Sequence, residues 1–185
     1  MIVSAIGVDD YFTWLLETAP AMIAIIVLTA TYRRFPFTNL VYALILIHCV
    51  ILMVGGHYTY AKVPFGFWLR DTFHFTRNPY DRIGHFAQGF VPAMIAREIV
   101  IRRKVINGAR WRVFFIISFC LAFSALYELF EWRTSVMSGE AADAFLGSQG
   151  DVWDTQWDMT FALIGASAAL ALLSRVHDRQ LRKKL

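Results

Sequence analysis

The chain has little charge and almost no cysteine, and both shortages narrow what it can be. Charged side chains make up 17% of the 185 residues, while hydrophobic ones reach 57%. A soluble domain would carry about a quarter charged residues, so a soluble globular protein is excluded. The two cysteines, Cys49 and Cys120, lie apart inside apolar runs and behave as small hydrophobes, with no disulfide framework and no thiolate metal site. Five prolines, eleven glycines and the lack of any low-complexity tract exclude a disordered chain. No internal repeat is visible, which leaves one compact bundle as the natural arrangement. The first ten residues, MIVSAIGVDD, lack the basic start of a signal peptide, and the apolar run after them has no clear cleavage site.

What is present is a series of apolar stretches, roughly 11–31, 40–56, 83–101, 113–132 and 157–174. Each approaches the ~20 residues that a helix needs to cross the hydrocarbon core. Lipid permits only helices and closed barrels, because nothing else satisfies its own backbone there, and these runs are too long for barrel strands. The expected fold is all-α, a polytopic transmembrane bundle of about five helices forming a single domain over residues 1–185.

The charges then orient it. Arg33 and Arg34 follow the first stretch. Arg97, Arg102, Arg103, Lys104, Arg110 and Arg112 lie around the connection between the third and fourth. Arg175, Arg179, Arg182, Lys183 and Lys184 close the tail. These three segments share one side and hold 13 of the 18 basic residues, leaving Lys62, Arg70, Arg77, Arg82 and Arg133 on the other. The positive-inside rule makes the basic side cytoplasmic, with the N-terminus outside and the C-terminus inside. Topology accounts for the basic runs, and nucleic acid is not an expected partner. Of the 14 acids only Glu98 and Asp178 fall on the cytoplasmic side, an asymmetry that the rule does not require.

Two outer segments are long. Residues 57–82 are dense in Tyr, Phe and Trp, as suits a short amphipathic or re-entrant piece in the membrane interface. Residues 133–150 are small and polar and read as a loop.

Polar residues gather where the spans meet the outer side, at helical spacings. Asp81, His85, Gln88 and Pro92 follow i, i+4, i+7, i+11. Ser124, Glu128 and Glu131 follow i, i+4, i+7, and Asp151, Asp154 and Asp158 follow i, i+3, i+7, with Gly165 continuing the line. A charge facing lipid at mid-span costs roughly 2.5–3.5 kcal/mol, so the three stripes are expected to face one another. They would enclose a cavity with six carboxylates and up to two imidazoles, His57 and His85. So many like charges need compensation: some are protonated, or Arg82 and Arg133 pair with them, or a cation sits among them. Carboxylates with imidazole suit zinc, manganese or magnesium, and His85, Glu131 and Asp154 are the expected ligands. Without metal, two carboxylates of split pKa could do acid–base work, and a proton or cation pathway is the third option. An ion-paired network that merely fixes helix register is the structural alternative. Of the other histidines, His48 reads as a helix–helix hydrogen bond, and His74 and His177 as interface or loop residues. Trp132, Trp153 and Trp157 read as belt aromatics.

The blocks GGHYTYAKVP, RNPYDRIGHFAQGFVPA, SALYELFEW and LGSQGDVWDTQWDMTFALIGA resemble the YjdF-type family of bacterial inner-membrane proteins, whose function is unassigned. The resemblance runs from about Leu40 onward. It implies a multi-pass protein of the bacterial inner membrane, with about one more apolar segment at the N-terminus than the five counted here. A looser resemblance is to VanZ-like membrane proteins, which carry an acid before His-Phe on one helix, acids ending the next, and a spaced Asp pair with Gly on another. Asp81 with His85-Phe86, Glu128 with Glu131, and Asp151, Asp154 and Gly165 follow that outline. Arg82 stands where that family has Lys, and its Asn near the last helix is missing.

The leading functional expectation is a cell-envelope protein that binds, or hydrolyses with a divalent metal, a polar or lipid-linked ligand at the outer face. Asp81, His85, Glu128, Glu131, Asp151, Asp154 and Asp158 would be ligands or acid–base groups. Arg82, His57 and Gln88 would contact the ligand, Arg82 meeting an anionic headgroup. The alternatives are a proton- or cation-coupled transporter and a non-catalytic scaffold, so enzymatic and non-enzymatic readings both stand.

Overall fold

The computed structural model describes residues 1–8, 10–138 and 147–184. Among them are six α-helices: α1 (Tyr11–Thr31), α2 (Asn39–Tyr58), α3 (Pro64–Phe73), α4 (Tyr80–Arg102), α5 (Ala109–Ser138) and α6 (Asp154–Leu181). Two 3-10 turns, Val3–Ala5 and Tyr60–Lys62, complete the regular structure.

Local chemistry sets the helix starts. Asp10 caps α1, its carboxylate accepting from the amides of Phe12 at 2.9 Å and Thr13 at 3.2 Å. Pro64 opens α3, where the missing N–H costs nothing, and His74 closes it in the left-handed region at φ 56°. Before α4 the Asn78 side chain accepts from Tyr80 N at 3.0 Å and donates to Val63 O at 3.0 Å, tying the helix start to the preceding connection. The expected interfacial piece is α3, which leaves Phe65, Trp68 and Phe73 exposed.

The helices overrun the apolar stretches. Helix α5 spans 30 residues, about 45 Å, against a hydrocarbon core of about 30 Å. Residues 133–138, expected as loop, are helical, because nothing in Arg133–Met137 breaks a helix before Gly139. Of the expected loop, residues 139–146 lie outside the described residues, and a turn closes where Asp151 N donates to Ser148 O at 2.9 Å.

Helices α1, α2, α5 and α6 are long and apolar enough to cross a membrane. Helix α4 has the same length but is too polar to qualify by composition. It packs against α2, α5 and α6, most extensively α6, and buries its polar side chains among them. The apolar stretch 83–101 counted in the sequence as a span falls within this helix. Glycines allow the contact: a Cβ on Gly89 would overlap the carbonyl oxygen of Ala162, and one on Gly165 that of Phe86. The α4 and α6 backbones therefore touch, as small residues permit in membrane helix pairs.

Polarity is arranged inside out. Ile23, Ile26, Leu46, Ile47, Phe119, Leu126, Leu129 and Leu172 are exposed at mid-helix, as lipid-facing side chains should be. Toward the basic end the interior is a packed apolar core around Val41, Ala93, Met94, Ile116, Cys120 and Ala166. Below it lies a buried ionic network. Glu98 and His177 are both wholly buried. Glu98 accepts from the amide of Thr38 at 3.0 Å, from its hydroxyl at 2.7 Å and from Arg102 at 2.9 Å. Arg97 donates to Nδ1 of His177 at 2.9 Å and to Asp178 at 2.7 Å. His177 is thus a core residue, not the interface or loop residue its place near the tail suggested.

Candidate functional site

At the opposite end the three polar stripes meet. Asp81, His85 and Gln88 from α4, Ser124, Glu128 and Glu131 from α5, and Asp154 and Asp158 from α6 are all buried. His85 is the hub. Its Nε2 lies 3.4 Å from Asp81 Oδ1 and 3.9 Å from Asp158 Oδ2, and its Nδ1 lies 2.9 Å from Gln88 Oε1 and 3.7 Å from Glu128 Oε1. With Gln88 Oε1 as acceptor, Nδ1 carries the ring proton. Nε2 then turns a lone pair toward two carboxylates, a contact that only a further proton or a cation reconciles. Asp158 Oδ1 and Glu128 Oε1 are buried without a hydrogen-bond partner among the described residues, so the cluster is not self-satisfied there.

Arginines cover the outer mouth. Arg77, itself buried, pairs with Asp154, lies 3.3 Å from Asp81 and 3.7 Å from Asp151, and donates to the carbonyls of Gly147 at 3.0 Å and Ser148 at 3.1 Å. Arg82 sits on the rim, 2.9 Å from Asp151, with its guanidinium over Trp157 and Phe161. Trp153 and Trp157 are exposed beside it, as belt aromatics are.

Inward from the cluster lies a cavity of about 50 Å³, room for a few waters. Asp81, His85, Gln88, Tyr127 and Glu131 line it together with Glu17 and Pro20 of α1 and His48 of α2. Glu17 is buried and makes no hydrogen bond among the described residues. Tyr60 forms another wall: its ring is wedged against Gly55 and Gly84, 2.7 Å from where a Cβ on Gly84 would sit. Burial pushes the Tyr60 phenol well above its ordinary pKa, so it faces the cavity as a neutral hydroxyl.

The sequence-derived site residues divide into three groups. Asp81, His85, Gln88, Glu128, Glu131, Asp154 and Asp158 come together, while Asp151 and Arg82 form the rim. Asp151 precedes α6 and so is not part of a helical stripe; its Oδ1 accepts instead from Trp153 N. His57 lies elsewhere, its Nδ1 3.1 Å from the carbonyl of Ser4 at the N-terminal turn. Arg133, offered as a counter-charge, is exposed, and Arg77 takes that part. The expected metal set of His85, Glu131 and Asp154 is not the one that converges. Asp81, His85 and Asp158 each offer a ligand atom within 4.8 Å of the others, while Arg77 occupies Asp154 and Glu131 faces the cavity. Two contributors, Glu17 and Arg77, were not singled out in the sequence, and His48, read there as a helix–helix hydrogen bond, instead lines the cavity. A lone acid within an apolar run was the available signal for Glu17.

The family model described as "Predicted membrane protein (DUF2238)" matches residues 1–179. The chain belongs to this family. It is also 50% identical over 183 residues to the inner membrane protein YjdF of Escherichia coli (strain K12), covering 99% of this chain and 88% of that one. The first resemblance drawn from the sequence motifs is thereby established, and with it a multi-pass protein of the inner membrane. Neither finding bears on the looser VanZ-like outline. No solved structure matches the chain.

Proposed function

We propose that the chain binds a divalent cation, zinc, manganese or magnesium, through Asp81, His85 and Asp158, and uses it on a polar or lipid-linked ligand of the cell envelope. The convergence of those three side chains carries the reading. Two ligands of an ion bonded at ~2.1–2.4 Å can lie no more than ~4.2–4.8 Å apart, and this trio meets that limit: its ligand atoms all fall within 4.8 Å of one another, with His85 Nε2 3.4 Å from Asp81 and 3.9 Å from Asp158. The donor set fits, since two carboxylates and an imidazole suit a borderline or hard cation. Gln88 on the far ring nitrogen is the partner that holds a metal-ligating imidazole in the right tautomer. The orphaned oxygens of Asp158 and Glu128 supply further donors.

A cation bound there would polarise a carbonyl or phosphoryl oxygen, or lower the pKa of a bound water. Glu128 and Glu131 stand beside it as acid–base groups, and Arg82 on the rim suits an anionic headgroup. Glu17 and His48 deepen the cavity, which is what a proton or cation pathway would need. Beyond Gln88, however, Val91, Ala93 and Met94 close the interior without polar groups, and this favours binding or hydrolysis over transport.

Elemental analysis of detergent-purified protein, dialysed against each of the three cations, tests the reading. About one ion per chain is expected, lost in Asp158→Asn and in His85→Gln. Metal-free wild type, or full retention in both variants while they stay folded, would overturn it.

A further inference from the structure

A second feature lies at the other end of the bundle, apart from the acidic cluster. Between α4 and α5 runs an apolar groove of about 450 Å³, lined on one side by Ile95 and Ile99 and on the other by Phe115 and Phe119, with Ile106 of the connecting loop at its foot. Ile99, Phe115 and Phe119 are exposed, so the groove opens toward lipid.

The lining itself is apolar, but basic residues stand next to its foot in the sequence. Helical spacing puts Arg112 one turn before Ile116 on the α5 stripe that continues through Phe119 and Phe123, so that stripe ends in a guanidinium. Lys104 lies two residues before Ile106. Arg103 leans on the Phe35 ring and Arg102 is held by Glu98, but no ion pair joins Lys104, Arg110 or Arg112 among the described residues. No counter-ion is near in sequence either, since the chain has no Asp or Glu between Glu98 and Glu128. Trp111, exposed one residue before Arg112, marks this level as the membrane interface.

Unpaired cations at the interface, with an apolar groove running from them into the hydrocarbon, have the polarity of a phospholipid. We propose that this is a binding site for an anionic phospholipid of the cytoplasmic leaflet, its phosphate on Lys104 and Arg112 and an acyl chain between α4 and α5. Charge selects the lipid: each basic residue near the surface favours an anionic headgroup, whereas a zwitterionic one gains little. Positive-inside topology explains why basic residues lie on this side. It does not explain why a groove starts at them.

The test is lipid retention. Detergent-purified protein is exchanged into vesicles of equal phosphatidylglycerol and phosphatidylcholine, re-extracted, and its bound lipids are measured by native mass spectrometry. Wild type should retain phosphatidylglycerol over phosphatidylcholine by about tenfold or more. In Lys104→Gln/Arg112→Gln the preference should fall to about twofold or less, and in Ala96→Phe, which fills the groove but keeps every charge, retention of both lipids should drop. Excess inorganic phosphate should not displace the lipid. Equal retention by wild type, an unchanged preference in the double variant, full retention in Ala96→Phe, or displacement by phosphate would each overturn the proposal. Should the double variant fail to fold, the wild-type competition and Ala96→Phe decide it.

Discussion

Glu98 and His177 are 79 residues apart in sequence, both wholly buried, and joined by a 3.0 Å hydrogen bond from Nε2 to Oε2. Because Arg97 donates to the other ring nitrogen, His177 has its tautomer fixed and every polar atom used. Removing one partner of such a buried pair strands the other. Glu98→Ala and His177→Ala should each cost about 3–5 kcal/mol, seen as a large fall in the melting midpoint of detergent-solubilised protein. Unchanged melting in both would show that the network does not hold the basic end together.

Arg77 is the main counter-charge at the outer mouth, so its loss should be felt through the acids it touches. A double-mutant cycle of Arg77→Gln and Asp154→Asn should give a coupling of about 1–3 kcal/mol. Additive effects would mean that the pair acts independently. Arg133→Gln, by contrast, should leave stability within about 0.5 kcal/mol of wild type, since that side chain is exposed.

The contact of α4 with α6 allows a sharper test. Gly89→Ala and Gly165→Ala each place a methyl group against a backbone carbonyl on the facing helix, where no flexible side chain can yield. Overpacking of this kind should cost about 1–3 kcal/mol each, measured by thermal or chemical unfolding. Gly150→Ala is the control for loss of a glycine as such: a Cβ there meets nothing, and only its positive φ of 84° is strained.

Asp10 makes the start of α1 sensitive to acid. The Thr13 hydroxyl, donating at 2.5 Å, holds the Asp10 carboxyl below its ordinary value, and the amides of Phe12 and Thr13 act in the same direction. A folded-state pKa below the unfolded one gives stability that is present above the unfolded value and lost as pH falls through the folded one. Asp10→Ala should therefore cost about 0.5–2 kcal/mol of stability at neutral pH, the value for a lost cap, seen as a lower melting midpoint. The gap to wild type should close on the acid side of the ordinary aspartate range. A constant gap across that range would rule out the ionised carboxylate as the cause.

Much of the architecture was legible because lipid imposes it. Apolar runs had to be helices, and buried charge had to face inward, so the spacings of Asp81, His85 and Gln88 and of Glu128 and Glu131 were enough to place them together. The remainder was hidden for definite reasons. Arg77 lies ahead of α4, off any helical stripe, and only the fold of the segments around it brings Asp154 within reach. Glu17 stands alone in its run, and a single residue has no periodicity to reveal its direction. Asp151 kept the spacing of a stripe without the helix, because α6 begins three residues later.

Backbone touching backbone at Gly89 and Gly165 has one more effect. Side chains can be swapped for slimmer or bulkier ones, but two main chains already in contact come no closer, and their joint burial resists separation. The slot between His85 and Asp158, 3.9 Å across, therefore has a preset width. Under the proposed function it would work as a gauge: a bare ion matches it, whereas a sugar ring or a whole lipid head would stop at the arginine-guarded entrance and present one atom at a time.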